Sequence, residues 1–325
     1  MPNLEDRKIF LFIVRFHFLM GRPSHTQRRS FLCIIIENSM TVLVVLNFND
    51  AKTTEKLVLN VAGYDSIDKV VIVDNCSVDN SYERLKEISK NDKVICIKTD
   101  KNKGFASGNN YGARYAIKEY NADYIIFANP DVEFSDNTVC MLRKALEGSK
   151  KSGLATCKVV NRGHAYDLSA WKQPAFLDCV LECFILLQKL FGKRNSYPKA
   201  FYSGSILKVD VVQGSFFMMK ASAFKDVEGM DENTFLYYEE NILACRLKDK
   251  GYEELLRIDT EYVHRHSETI DKNISLTRTK FEYLQKSRKY YCQQYLKVSP
   301  MLMMLLDIAY RIGITDYELL RRVRG

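Results

Sequence analysis

Acidic and amide side chains gather in this chain where apolar runs stop. The run Tyr124-Ile-Ile-Phe-Ala128 breaks into Asn129-Pro130-Asp131. A buried strand that ends on Pro and Asp delivers a carboxylate to the carboxyl edge of a sheet, where open α/β sheets bind ligands. There Asp131 can hold a metal, although loop aspartates most often only shape turns. Two earlier runs end in the same way, at Asn47-Phe48-Asn49-Asp50 and at Asp74-Asn75-Cys76-Ser77-Val78-Asp79. The stretch Lys101–Gly112 places Gly104, Gly108 and Gly112 among Asn102, Asn109 and Asn110, ahead of a helical segment. Glycines let backbone approach a ligand closely, and a helix N-terminus favours phosphate. Later, Glu239-Glu240 opens a helical segment and His264 closes a strand. Consecutive acids at a helix start are also what the macrodipole favours, which accounts for Glu239 better than for Glu240. A lone strand-end histidine is commonly structural.

The elements that would position these groups alternate along the chain. Strands are predicted at Val42–Asn47, Lys69–Asp74, Val94–Thr99, Asp123–Ala128 and Leu154–Val160, with helices near Lys52–Val61, Ser81–Ser89, Ser107–Glu119 and Asn137–Gly148. That alternation predicts βαβ units and a mostly parallel sheet. A second block, Val209–Val263, reads as strand, helix Ala221–Val227, turn at Gly229, helix Glu239–Lys250 and strand. Between the blocks, 161–208 reads as an insertion at the sheet's edge, with an apolar helical patch at Phe176–Phe191.

Composition narrows the class. The 325 residues carry a formal charge of +8, with +3 before Met40 and +6 from Arg278 onward, so the basic character lies at the ends. No base-reading or stacking motif accompanies that charge, which argues against nucleic acid. In the tail, Tyr290, Tyr291, Tyr295, Met301–Leu306, Ile308 and Tyr310 interleave with the basic residues. Such a segment suits an amphipathic helix at a lipid surface or one packed on its own domain. Nine cysteines without a Cys-x-x-Cys pair point to mostly buried thiols in a reducing compartment. No apolar run reaches the roughly 18–20 residues that span a bilayer. Arg15 and His17 interrupt the run Ile9–Val14, which lacks the small-residue cleavage site of a secretory signal. A clean first strand begins right behind Met40, so residues 1–39 are expected to be an upstream extension beyond the true start. The first strand is not followed by Gly-x-Gly-x-x-Gly, which disfavours a nicotinamide enzyme.

Four segments, Thr41–Asp50, Val73–Ser81, Asn102–Gly112 and Asn129–Asp131, occur together in order. They are followed by Val212-Gln-Gly-Ser-Phe-Phe-Met-Met-Lys220, Gly229-Met-Asp231 and Phe235-Leu-Tyr-Tyr-Glu-Glu240. The set resembles family 2 glycosyltransferases over roughly 40–266, particularly the rhamnosyl- and galactofuranosyltransferase-like branch. The resemblance implies an α/β GT-A fold, placed over 40–270; within it the insertion 161–208 is expected to be the acceptor region, and the composition of 271–325 predicts a basic amphipathic helical tail. It also implies a nucleotide-diphosphate sugar donor, inversion at the anomeric carbon, a glycan or lipid-linked glycan acceptor, and a setting in cell-surface polysaccharide assembly on the inner face of the membrane. On that likeness Asn47, Asp74, Asn102, Gly104, Asn110 and Asp131 would serve the nucleotide sugar. Asp131 and His264, with His266 as a substitute, would hold Mn²⁺ or Mg²⁺. A divalent cation there would neutralise charge on the departing diphosphate.

Glu240 would be the general base, since a carboxylate facing the acceptor can take the hydroxyl proton. Relatives usually carry Asp at that position and often a second acid where this chain has Ile242, so Glu239 stays open as base. Asn129 replaces the first acid of the metal motif common in other GT-A enzymes, which lowers the charge offered to a metal. Two other classes compete. A sugar-1-phosphate nucleotidyltransferase would need a Gly-rich, basic triphosphate loop after the first strand, and Asn47-Phe48-Asn49-Asp50 offers none. A non-catalytic nucleotide-sugar binding protein on the same scaffold would fit the Glu240 and Ile242 departures.

Overall fold

A computed structural model describes residues 39–90, 92–160, 169–184, 194–265 and 277–324. The extension 1–38, His266 and parts of 161–208 fall outside the described residues. Strand β1 (Thr41–Asn47), helix α1 (Ala51–Val61), β2 (Lys69–Asp74), α2 (Ser81–Ile88), β3 (Val94–Lys98), α3 (Phe105–Tyr120) and β4 (Tyr124–Ala128) follow the predicted alternation to within two residues. Their strands pair in parallel in the order β3-β2-β1-β4. Val42–Val45 of the interior strand β1 are fully buried, as expected of a strand covered on both faces. Alternate side chains go to opposite layers. Leu43 and Val45 pack with α1, while Val42 and Val44 pack with Ala106, Ala113 and Ala116 of α3.

After Asp131 the chain makes a two-residue strand β5 (Val132–Glu133), helix α4 (Asp136–Glu147) and β6 (Ser152–Val160). The Ser135 hydroxyl caps α4 by accepting the Thr138 amide. The short strand β7 (Ala170–Trp171) and helix α5 (Phe176–Leu181) follow. Next come β8 (Ile206–Val209), β9 (Val211–Val212), β10 (Phe216–Lys220), helices α6 (Ala221–Asp226) and α7 (Glu239–Asp249), and the long strand β11 (Glu253–His264). Among the described residues the sheet has nine strands in the order β3-β2-β1-β4-β10-β6-β11-β5, with β8 also on β11. Strand β10 runs antiparallel between β4 and β6, and β5 and β8 also oppose β11. The other six strands share one direction, so the sheet is mostly parallel. Phe216–Met219 are buried on both faces, and an apolar run of that kind does not reveal its direction from sequence.

Helices α8 (Thr277–Gln294) and α9 (Pro300–Arg324) complete the chain, and Met40–Gly325 makes one compact unit. Tyr291, Cys292, Met303 and Leu306 share a third core with Cys179, Cys183, Tyr238 and Ile242. The apolar residues of the tail therefore divide between two faces. Met301, Met304, Leu305, Ile308 and Ile312 stay exposed on α9.

Candidate active site

Two strand ends and one helix start build the site. Strand β5 pairs with the end of β11, Val132 opposite His264 and Glu133 opposite Val263. Asp131 immediately precedes β5, so this short ladder brings its carboxylate to His264, with Oδ1 3.3 Å from Nε2. Both residues are well buried, 5% and 7% exposed. The Arg265 amide donates to the Asp131 carbonyl at 3.0 Å and fixes the turn. A register shift in β11 between Arg257 and Glu261 resets the strand, after which Tyr262 and His264 turn inward and Val263 outward. Bulges of this kind re-aim side chains beside sites.

A carboxylate oxygen and an imidazole nitrogen at this spacing fit one divalent cation, since metal bonds of about 2.1 Å from each side can span it. Among the described residues no group of three or more His, Cys, Asp or Glu comes together for a metal. Asp131 and His264 would thus supply two positions and leave the others to water and ligand oxygens. Asn129 donates its backbone amide to the Ser215 carbonyl at 2.8 Å, which ties β4's end to the segment before β10.

That segment, Gln213-Gly214-Ser215, links the pair to the acids of α7. Gln213 Nε2 lies 3.5 Å from His264 Nδ1, and Gln213 Oε1 accepts from the Tyr262 hydroxyl at 3.3 Å. The Tyr262 hydroxyl also bonds Ser215 Oγ at 2.8 Å. Burial, with help from the charges of Glu240 and Asp131, raises the Tyr262 phenol well above its usual range. On Gly214, a Cβ would stand 2.7 Å from Glu240 Oε1, so the carboxylate lies directly over this glycine. Burial raises the Glu240 carboxyl, and the Glu240 and Gly214 amides partly offset the effect.

Glu239 is buried, and its Oε1 has no hydrogen-bond partner among the described residues. Burial and then the neighbouring Glu240 push its carboxyl up to about 8. Tyr237 and Tyr238, just ahead of both acids, have φ of 73° and 71°. Positive φ on two consecutive bulky residues stores on the order of 1–3 kcal/mol each. Ile242 is fully buried in the third core, an environment that an apolar side chain fills without the cost of burying a charge.

The strand ends of the first block are arranged differently. Asp74 is fully buried and accepts from Asn47 Nδ2 and from the Ser77 amide, each at 2.9 Å. Asn47 Oδ1 in turn accepts from the Thr54 hydroxyl at 2.8 Å. Asn102 Oδ1 accepts from Asn75 Nδ2 and from the Gly104 amide, each at 3.0 Å. Gly104 has φ 103°, and a Cβ there would meet the Phe235 carbonyl oxygen at 2.4 Å. Phe105 donates its amide to that same carbonyl. Gly108 and Gly112 face the sheet, where a Cβ would come within 2.4 Å of Leu46 and 2.5 Å of Val44.

Asn110 is fully buried. Its Nδ2 donates to the Met230 carbonyl at 2.8 Å and to Glu232, while its Oδ1 accepts the Met230 amide at 2.9 Å. The structure thus brings Asp131, His264, Glu240 and Glu239 into one neighbourhood through Gln213–Ser215. Asn47, Asp74, Asn102 and Gly104 shape the loops at the other strand ends, and Asn110 braces the Gly229–Met230 turn. Gln213 and Gly214 stood in the Val212–Lys220 motif without a role assigned to them, and Tyr262 was given none either. The Gly between Gln and Ser at the head of an apolar run was the available signal.

A sheet of this order, with a carboxylate at the end of β4 meeting a histidine at the end of β11, defines a GT-A fold. The chain matches Glycosyl transferase family 2 over residues 42–227 and belongs to that family. The low-salt glycan biosynthesis hexosyltransferase Agl10 of Haloferax volcanii is 24% identical over 198 residues, 61% of this chain and 58% of that protein. Rhamnosyltransferase WbbL of Escherichia coli K12 is 26% identical over 217 residues, covering 65% of this chain and 78% of that one. An N-acetylglucosaminyl-diphospho-decaprenol L-rhamnosyltransferase of Mycobacterium tuberculosis is 23% identical over 215 residues, 63% and 68% of the two chains.

Solved structures share the fold. GalNAc-T7 with UDP, GalNAc and Mn²⁺ superposes with a TM-score of 0.56 at 16% identity, over 71% of this chain and 44% of that one. Mannosyltransferase PcManGT from Pyrobaculum calidifontis, in complex with GDP-Man and Mn²⁺, gives 0.54 at 13%, over 87% and 75%.

Proposed function

We propose that this protein transfers a hexosyl or deoxyhexosyl group from a nucleotide-diphosphate sugar to a hydroxyl of a glycan or lipid-linked glycan, with inversion, in cell-surface polysaccharide assembly. The observation that carries this reading is the Asp131–His264 pair joined through Gln213–Gly214 to the Glu240 carboxylate. A divalent cation, Mn²⁺ or Mg²⁺, bound by Asp131 and His264 would offset negative charge on the leaving diphosphate. Glu240 takes the proton of the acceptor hydroxyl as that oxygen attacks the anomeric carbon and the bond to the diphosphate breaks. Burial raises Glu240's proton affinity and so improves it as a base. Glu239, buried and pushed up to about 8 by burial and then by Glu240, is the poorer base of the two at neutral pH. Asp74 and Asn47 hold the loop after β2 on which the nucleotide rests, and Asn102 and Gly104 hold the loop over the donor. Asn110 acts indirectly, by fixing the Gly229–Met230 turn.

The exposed apolar stripe of α9, flanked by Lys297 and Arg311, supports peripheral contact with the inner membrane surface, where a lipid-linked acceptor would reside. Among the described residues no helix is long and apolar enough to cross a membrane. The test is a panel of nucleotide sugars incubated with and without EDTA, read as release of nucleoside diphosphate. One donor should be turned over slowly by wild type, lost with EDTA and lost in Asp131→Ala. Full activity in Asp131→Ala would overturn the metal role, and no turnover with any donor would favour a binding protein.

A further inference from the structure

The segment that presents Glu239 and Glu240 is held from the C-terminal side by α8. Tyr283 stacks on Phe235 with ring centroids 4.7 Å apart, and the Ser287 hydroxyl donates to the Leu236 carbonyl at 2.8 Å. The hydroxyls of Tyr290 and Tyr295 both donate to Asp231 Oδ2, at 2.9 and 2.5 Å. At the centre is Arg288, only 4% exposed although it belongs to the basic tail. Its guanidinium lies over the Tyr238 ring, 5.9 Å from the centroid, and Nε donates to the Tyr238 hydroxyl at 3.2 Å. That hydroxyl donates onward to Glu182 Oε2 at 2.7 Å, and Arg288 Nη2 stands 3.6 Å from the same carboxylate.

Tyr238 is the left-handed residue directly before Glu239. A strained conformation persists only where its surroundings over-determine it, and the buried guanidinium of Arg288 grips the strained side chain. The clamp reaches further. Phe235, stacked under Tyr283, also receives the Phe105 amide and stands where a Cβ on Gly104 would go, so one segment carries both the base and a wall of the donor loop.

We propose that α8 is a positioning element of the reaction, in which Arg288, through the Tyr238 hydroxyl and Glu182, holds the left-handed Tyr237–Tyr238 turn that aims Glu240 at the acceptor. The proposal rests on the reading of Glu240 as the base. It gives the tail a task inside the site, distinct from any task its outer face has at a membrane.

The test uses the full chain and three variants: Arg288→Gln, Arg288→Lys, and Tyr238→Phe, which removes only the gripped hydroxyl. Hydrogen exchange read by mass spectrometry should show amides of 235–242 exchanging about tenfold faster in Arg288→Gln and Tyr238→Phe, with β1–β4 unchanged. Hydrolysis of the donor chosen by the panel should show kcat falling about tenfold or more at an unchanged donor KM, since a small misplacement of a catalytic group is costly. Arg288→Lys should recover part of that loss, and the acidic limb of the pH profile should move in the two other variants. Wild-type exchange over 235–242 in Tyr238→Phe would overturn the proposal. So would a kcat loss accompanied by unfolding throughout the sheet. If no donor is turned over by wild type, the glycosyltransferase reading fails, and the exchange experiment still decides whether Arg288 holds the turn.

Discussion

The two halves of the crevice solve their polar groups in opposite ways. At the ends of β1 and β2, Asn47 and Asp74 satisfy one another and the Ser77 amide, Asn102 accepts from Asn75 and the Gly104 amide, and Asn110 bonds Met230 and Glu232. At the end of β4 and the start of α7, Asp131 and His264 face each other, Glu239 has an oxygen without a hydrogen-bond partner among the described residues, and two tyrosines sit at positive φ. Satisfied networks make a rigid frame. Raised carboxyls and stored strain mark the place where chemistry is done. On the proposed reading the first half is a mould and the second half the machinery, although both stand on one sheet.

Substitutions can break that contrast, and the machinery should respond most. Glu240→Gln is expected to lower turnover by about 10²–10⁴-fold while leaving the urea midpoint near wild type. Gly214→Ala should follow at about 10²-fold, because its Cβ displaces the carboxylate. Should Glu239→Gln lose turnover instead while Glu240→Gln keeps it, the roles of the two acids are exchanged.

In the mould the order of effects reverses, with stability lost before chemistry. Gly104→Ala combines a Gly-only backbone with a clash on Phe235 and should cost about 2–4 kcal/mol in chemical denaturation. Asn110→Ala strands the Met230 amide and carbonyl and should cost about 2 kcal/mol by the same measurement. A last test of the contrast is a slope with pH. Folding raises the Glu239 carboxyl from 4.5 to about 8, so the folded chain keeps a proton that the unfolded chain has lost. This contribution is full below about pH 4.5 and is lost as pH rises towards 8. Thermal midpoints measured across that window should fall, and Glu239→Gln should flatten the fall.

Much of the mould was legible in the sequence. β1 to β4 and their helices announce themselves through β-branched runs and turn residues, and their ends lie where the runs stop. The ordered motifs pointed to Asp131, the two acids of α7 and His264 as candidates, but not to what joins them. Two residues, Val132 and Glu133, are too few to show a strand period, and only their pairing with β11 explains how Asp131 meets His264. Asn110 lies in a glycine- and amide-rich stretch that looks made for a ligand. Its use on Met230 depends on a contact across 120 positions, which no local pattern carries. Arg288 was counted as surface charge. Its spacing from Leu284, Tyr291 and Tyr295 along one helical stripe was the sign that it belongs to a core.

The antiparallel strand β10 has a consequence for how such a chain comes to be folded. β4 and β6 do not pair with each other, and each keeps an open hydrogen-bonding edge until Phe216–Lys220 slides between them. During synthesis the first four strands can assemble early, but β6 has no partner strand until β10 and β11 have been made. Exposed edges of this kind invite pairing with other chains. Truncations that stop short of Phe216 should therefore be sticky rather than merely inactive, because the edge of β4 and both edges of β6 stay unpaired until β10 and then β11 arrive.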